Sequence, residues 1–157
     1  MKKSSQSSKS SAVLNRRARF DYELADEVVT GIELTGQEVR AVREGRVQLK
    51  GSFVAIRDDQ LWLNNASFSL RINERGQTNA RTVDTRPRRL LVHRKQIDEL
   101  IARRKDGMSI VPTKILINGR FIKVVIALGK GKKHYDKRET IKRRDIDREH
   151  KQSLKYR

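Results

Sequence analysis

Ile110-Val111-Pro112-Thr113-Lys114-Ile115-Leu116-Ile117-Asn118-Gly119-Arg120-Phe121-Ile122-Lys123-Val124-Val125-Ile126-Ala127-Leu128 is two apolar runs joined at an Asn-Gly step. Asn-Gly is the strongest short hairpin signal, because both residues tolerate the left-handed backbone of a tight turn. The runs Ile115-Leu116-Ile117 and Val124-Val125-Ile126 carry no polar alternation, so the strands expected at 110–117 and 120–128 are covered on both faces.

Upstream, Phe20, Tyr22 and Leu24 alternate, and Val28, Ile32 and Leu34 flank Thr30, which gives two more strand patterns. Thr35-Gly36-Gln37-Glu38 is a capping box, with the threonine hydroxyl and the glutamate carboxylate each taking a backbone N–H of the other residue. Val39 and Val42 share a face and Gly45 supplies a left-handed stop, so a helix is expected over 36–44. Segments 52–57 and 60–64 read as strands joined at Asp58-Asp59. Residues 67–88 are mostly polar, with Gly76 and Pro87, and read as a long exposed loop. Ile97, Leu100 and Ile101 define a second helix over 93–105, with Gly107 just beyond it. About six strands and two helices, with hairpins predominating and no βαβ alternation, indicate a mainly β fold. A small closed or nearly closed antiparallel barrel with helices at its openings fits.

The chain divides into three parts. Residues 1–13 are Ser/Lys-rich without periodicity and read as a disordered tail; 14–129 form the barrel domain; 130–157 form a basic tail. From Asp136 to Tyr156 the tail has no Pro or Gly, but Ile141, Ile146, Leu154 and Tyr156 make no continuous stripe. A helix polar nearly all round has no core to dock on, so disorder alone and helicity when bound are expected.

Among the 157 residues Lys and Arg number 37 against 19 Asp and Glu, a net charge of +18. Residues 129–157 alone hold 12 cations and 5 acids. Such an excess is the electrostatic footprint of a polyanion partner. No apolar run approaches the roughly 18 residues of a membrane span, and the basic start lacks the apolar stretch of a secretory signal. Cysteine is absent, which excludes disulfides, thiol catalysis and Cys-based zinc sites and suits a reducing cytoplasm.

Catalytic readings find little. Gly129-Lys130-Gly131 is too short for a phosphate loop, and His93, His134 and His150 lack metal-ligand spacing. Asp58-Asp59 is better explained by a turn than by acid–base work. No enzyme activity, cofactor or metal is expected. The basic clusters carry more: Asn15-Arg16-Arg17-Ala18-Arg19, then Arg86-Pro87-Arg88-Arg89, then Lys130, Lys132 and Lys133. Beside strand ends in a small barrel, they are candidates for one shared RNA surface, with guanidinium groups suited to bidentate phosphate contact. RNA is favoured over DNA because no major-groove reading element is present. Tyr135, among cations, is placed to stack on one base. A general rRNA-binding barrel and an RNA-cleaving enzyme are the alternatives; a module on anionic lipid is more distant, because the tail lacks an apolar face.

The order and spacing of these motifs resemble the bacterial small protein B family, the SsrA-binding proteins of trans-translation. The resemblance runs from about Leu14 into the tail. It rests on Asn15 to Arg19, Gly31-Ile32-Glu33-Leu34-Thr35-Gly36-Gln37-Glu38-Val39, Arg43-Glu44-Gly45, Arg89-Leu90-Leu91, Gly129 to Lys133 and Asp136-Lys137-Arg138-Glu139. It implies an oligonucleotide-binding-type barrel with flanking helices and a non-catalytic adaptor. The implied partners are transfer-messenger RNA, one protein per RNA, and the small-subunit rRNA of a stalled ribosome. By matching motif, Asn15, Arg16, Arg17, Leu91, Lys132 and Lys133 are implied RNA contacts, joined by Arg19 and Lys130 from the same clusters. Tyr135, Asp136, Lys137 and Arg138 are implied contacts at the decoding site. Val29 stands where some relatives have glutamate and is left out of that set.

Overall fold

The computed structural model describes residues 11–71, 81–104 and 107–153. In chain order these form β1 (Ser11–Leu14), α1 (Arg16–Asp21), β2 (Tyr22–Ile32), α2 (Gly36–Arg43), β3 (Val47–Gln48), β4 (Phe53–Arg57) and β5 (Gln60–Asn64). There follow β6 (Ser67–Arg71), β7 (Arg81–Asp84), β8 (Arg88–Leu91), α3 (Arg94–Arg103), β9 (Met108–Asn118), β10 (Phe121–Gly131) and α4 (His134–Ser153).

The expected central hairpin is β9–β10, with its two-residue turn one position later than the Asn-Gly step, at Gly119 and Arg120. β10 also pairs with β2, β2 with β8, β8 with β5 and β5 with β4. A Val54–Ile110 pairing joins β4 back to β9, so six antiparallel strands form a ring. Val42, Leu61, Leu63, Ile115, Val124 and Ile126 are buried in the apolar cluster of the fold. The Asp58-Asp59 turn is present with both residues at positive φ, 47° and 56°, as a tight two-residue hairpin requires.

α2 follows from its sequence signals. Thr35 N–H donates to Glu38 Oε2 at 2.7 Å and Glu38 N–H donates to Thr35 Oγ1 at 3.4 Å, which is the capping box. Gly45, at φ +69°, donates to Val42 O, and Arg46 N–H donates to Ala41 O, a Schellman stop.

Four expectations are corrected. Residues 67–88 are not one exposed loop: β6 and β7 pair with each other, β6 also pairs with β3, and together they make a separate three-stranded sheet. Gly76 lies outside the described residues. Ser11 to Val13 are not a free tail, because β1 adds to the edge of β9. The strand expected from Phe20 begins only at Tyr22, because Asn15 caps a helical turn before it, its Oδ1 accepting from Ala18 N–H at 3.2 Å. β10 runs to Gly131, past the boundary placed at 129. Residues 134–153 of the basic tail form α4, and from Arg138 onward every described side chain is exposed. Among the described residues, that helix buries no apolar side chain, and Ile141 and Ile146 are exposed.

One buried carboxylate joins the two sheets. Glu38 is 0% exposed; its Oε1 accepts from Arg88 Nε at 2.9 Å and from Arg86 Nη2 at 2.9 Å. Arg88 is itself buried, lies 3.8 Å from the Phe68 ring centroid and donates from Nη1 to Ala66 O at 3.3 Å. Burial pushes the Glu38 carboxyl up, but the Thr35 N–H and the two guanidinium groups outweigh it and hold the group below the ordinary carboxylate range.

Glu38→Ala removes the counter-charge of a buried arginine and is expected to cost about 3–5 kcal/mol in urea unfolding. In the wild type the Glu38 contribution is complete above the unfolded-state value near pH 4.3. It is lost as pH falls through the lower folded-state value. An acid titration of the urea midpoint should lose that slope in Glu38→Gln.

Candidate nucleic-acid interface

The residues expected to share one RNA surface divide between two ends of β2 and β10. At the first end, β10 closes against β2 through the pairings Lys130–Glu23 and Gly131–Tyr22. Gly129 lets the strands close tightly there, since an added Cβ would stand 3.0 Å from the Cβ of Tyr22 and push against it. α1 lies beside this junction. Lys132 N–H donates to Asp21 O at 2.9 Å, and Lys132 Nζ donates to Arg19 O at 3.1 Å. Arg19 of α1 thus stands beside Lys132, with Arg16 and Arg17 on the same helix and Lys130 and Lys133 next along the chain. Arg19 leans toward Glu27 at 3.9 Å, and Glu27 also takes Lys114 Nζ at 2.8 Å. The hydrogen bond from Lys114 holds the Glu27 carboxyl below its ordinary range against an opposing burial effect.

Asn15 belongs to this end as a support. It is 6% exposed, and its Nδ2 donates both to Leu49 O at 3.0 Å and to Pro112 O at 2.8 Å. Pro112 and Thr113 sit where β9 slips register against β10, and Asn15 N–H donates to Thr113 O at 2.8 Å. With both side-chain hydrogens held internally, Asn15 anchors α1 and presents no donor outward.

At the second end, Lys123, Gly31 and Leu91 form one cross-strand row through β10, β2 and β8. Leu91 folds over bare glycine backbone, since an added Cβ at Gly31 would stand 3.0 Å from the Cβ of Leu91. Leu91 is 48% exposed and Phe121, two residues from Lys123, is 69% exposed. A groove of about 450 Å³ beside the row is lined by Val29, Leu91, His93, Gln96 and Lys123. Apolar side chains beside a cation suit a ribose or base face next to its phosphate. Lys123, Arg120 and Phe121 were not singled out by sequence reasoning. The available signal was Lys123 itself, the one charge inside the run from Phe121 to Leu128, which marks an outward position between inward Ile122 and Val124.

Leu91 is therefore separated from Lys130 by the length of β2 between Gly31 and Glu23, roughly 25 Å at strand rise. Of the middle cluster, Arg89 joins the second end, because it alternates onto the exposed face of β8 that carries Leu91. Arg88 is buried and Arg86 is bound to Glu38 and Asp84, leaving Arg89, which reaches Glu33 at 3.6 Å.

The tail residues start at the first end. Lys133 N–H donates to Asp136 Oδ2 at 3.1 Å, opening α4. Lys137 Nζ stands 3.0 Å from Asp21 Oδ1, while Arg17 Nε stands 2.7 Å from Asp21 Oδ2. Partial burial pushes the Asp21 carboxyl up, and hydrogen bonds from Lys137 and Arg17 more than reverse it, holding the group low. Arg138 is exposed. Tyr135 lies in the first turn of α4, and its side chain is outside the described part of the structure. Among the described residues no group of His, Asp and Glu is placed to hold a metal ion, and no helix is long and apolar enough to cross a membrane.

A family model described as SmpB protein matches residues 12–156. The SsrA-binding protein of Shouchella clausii (strain KSM-K16) is 45% identical over 145 residues, covering 91% of this chain and 90% of its own. That of Enterococcus faecalis (strain ATCC 700802 / V583) is 43% identical over 143 residues, with 90% of each chain covered. A chain in a solved structure described as "tmRNA-SmpB: a journey to the center of the bacterial ribosome" superposes with a TM-score of 0.60 at 37% identity. It covers 78% of this chain and 85% of its own.

Lys123→Ala is expected to weaken binding of a folded RNA and to reduce the slope of log affinity against log salt by about 0.7–0.9. The urea midpoint should not change, since Lys123 is exposed. An unaltered salt slope would remove the Leu91 row from the interface.

Proposed function

Because the chain belongs to the SmpB protein family, we propose that it is the RNA-binding adaptor of trans-translation, binding the tRNA-like domain of transfer-messenger RNA and delivering that RNA to stalled ribosomes. The observation that carries this reading is the pairing of two cationic surfaces on one strand ring with a cationic helix whose described side chains beyond Lys137 are all exposed. A ring with outward cations at two places grips a folded RNA by phosphate and ribose rather than by sequence. Leu91 with Lys123, and the α1 cations with Lys130, Lys132 and Lys133, are the contacts assigned to that RNA.

The helix α4 has a different task. Twenty residues of helix span about 30 Å. A helix without a continuous apolar face gains little from tertiary packing, so its order strengthens where anions surround it. The anionic channel of a ribosome lacking mRNA offers such a surface, and a channel already filled excludes the arm. Tyr135, Asp136, Lys137 and Arg138 enter first, at the decoding site. The adaptor performs no covalent chemistry in this scheme, acts as one copy per RNA and works in the cytoplasm.

Truncation after Lys133 is expected to leave affinity for transfer-messenger RNA within about threefold and to abolish peptide tagging on stalled ribosomes. Parallel loss of both would refute the division of labour. Tyr135→Phe should tag nearly as well as the wild type and Tyr135→Ala poorly, with RNA affinity similar in both, if the ring acts by stacking. Sequencing of RNA that accompanies the gently purified protein tests the whole reading; recovery of rRNA without transfer-messenger RNA would overturn it.

A further inference from the structure

We propose that Asp21 is a positioning residue that couples RNA held at α1 to the direction of the α4 arm. The proposal rests on the functional reading above, in which Arg17 contacts one RNA and Lys137 another.

Two cations assigned to different partners meet on this one carboxylate. Arg17 Nε lies 2.7 Å from Oδ2 and Lys137 Nζ lies 3.0 Å from Oδ1. The backbone carbonyl of the same residue accepts the Lys132 N–H at 2.9 Å, and the next hold is Lys132 Nζ on Arg19 O. The described polar contacts that fix the root of the arm to the body thus fall on the last turn of α1. Beyond Lys137 every described side chain of the arm is exposed. A change at Asp21 is therefore transmitted along a lever of nearly the full helix length.

The coupling has a definite sign. Arg17 and Lys137 carry like charges on opposite oxygens of one carboxylate, so each weakens the hold of the other. A backbone phosphodiester offers Arg17 two non-bridging oxygens and one negative charge, as the Asp21 carboxylate does, and so can replace it as partner. When RNA takes Arg17, Asp21 keeps Lys137 as its sole described cation and the like-charge repulsion is neutralised. The arm is then held more firmly in the RNA-bound protein than in the free one. By linkage, an arm fixed through Lys137 raises RNA affinity at α1 by the same factor.

The chain has no cysteine, so Lys95→Cys with Lys142→Cys allows two spin labels to report the distance from α3 to α4 in the full-length protein. Free wild-type protein should give a defined distance distribution that narrows further with transfer-messenger RNA. Asp21→Asn should broaden it in the free protein and abolish the narrowing. RNA affinity in Asp21→Asn should hold or rise by up to about fivefold, the worth of a partly exposed ion pair, while tagging falls. Lys137→Gln should broaden the distribution alike but leave RNA affinity equal or lower, because Asp21 then keeps Arg17; the double variant should broaden the distribution no further than either single one. A merely structural role predicts the opposite pattern, with RNA affinity, tagging and urea midpoint falling together in Asp21→Asn. That result, or an Asp21→Asn distribution matching the wild type without RNA, would overturn the coupling. If transfer-messenger RNA does not bind, the functional reading fails, while the RNA-free comparison still decides whether Asp21 holds the arm.

Discussion

The buried Glu38 carboxylate is the constraint on which the arrangement depends. One oxygen closes the N-terminus of α2 and the other receives two guanidinium groups, from Arg86 and from β8 through Arg88. Because Arg88 also lies over Phe68 of β6 and donates to Ala66, a single charge pair ties the helix, the strand ring and the small sheet together. An ion removed from water persists only when its remaining hydrogen-bonding capacity is filled, and here it is. The same fact removes Arg88 from the pool available to RNA and engages half-exposed Arg86.

How much of this was legible follows from range. Signals confined to a few residues were readable: the Thr35–Glu38 box, the Gly45 stop, the Asp58-Asp59 turn and the central hairpin each state their structure locally. Pairings between distant segments were not. β6 alternates Ser67, Ser69 and Arg71 with Phe68 and Leu70, a short strand signal hidden inside a polar stretch, and β7 (Arg81-Thr82-Val83-Asp84) shows its pairing only beside β6. β1 looks like tail because its only pairing partner lies about a hundred residues away in β9. At the candidate interface, clustering revealed the α1 and Lys130 cations, whose neighbours in space are also charged. It misled at Arg86 and Arg88, where the counter-charge comes from α2. It overlooked Lys123, whose row is assembled from three strands. Asn15 stood at the right place for a different reason, since its amide holds the helix that carries the exposed arginines.

The two surfaces and the arm also explain why the chain needs so rigid a middle. β2 and β10 pair along almost their whole length, and the register break near Ala127 is confined to the end that receives α1. Gly31 and Gly129 permit the close approaches of Leu91 and Tyr22 at opposite ends of that pair. Those close approaches set the backbone from which the cationic side chains at either end extend.

The separation of those ends, roughly 25 Å along the strands, makes the paired strands a gauge. A ligand that touches both must present phosphates at that spacing and in the matching orientation. A folded polyribonucleotide does so at no cost in chain entropy, whereas a loose single strand would have to surrender its freedom to span the gap. For an RNA that touched both ends, discrimination by shape would follow from the length of the two strands.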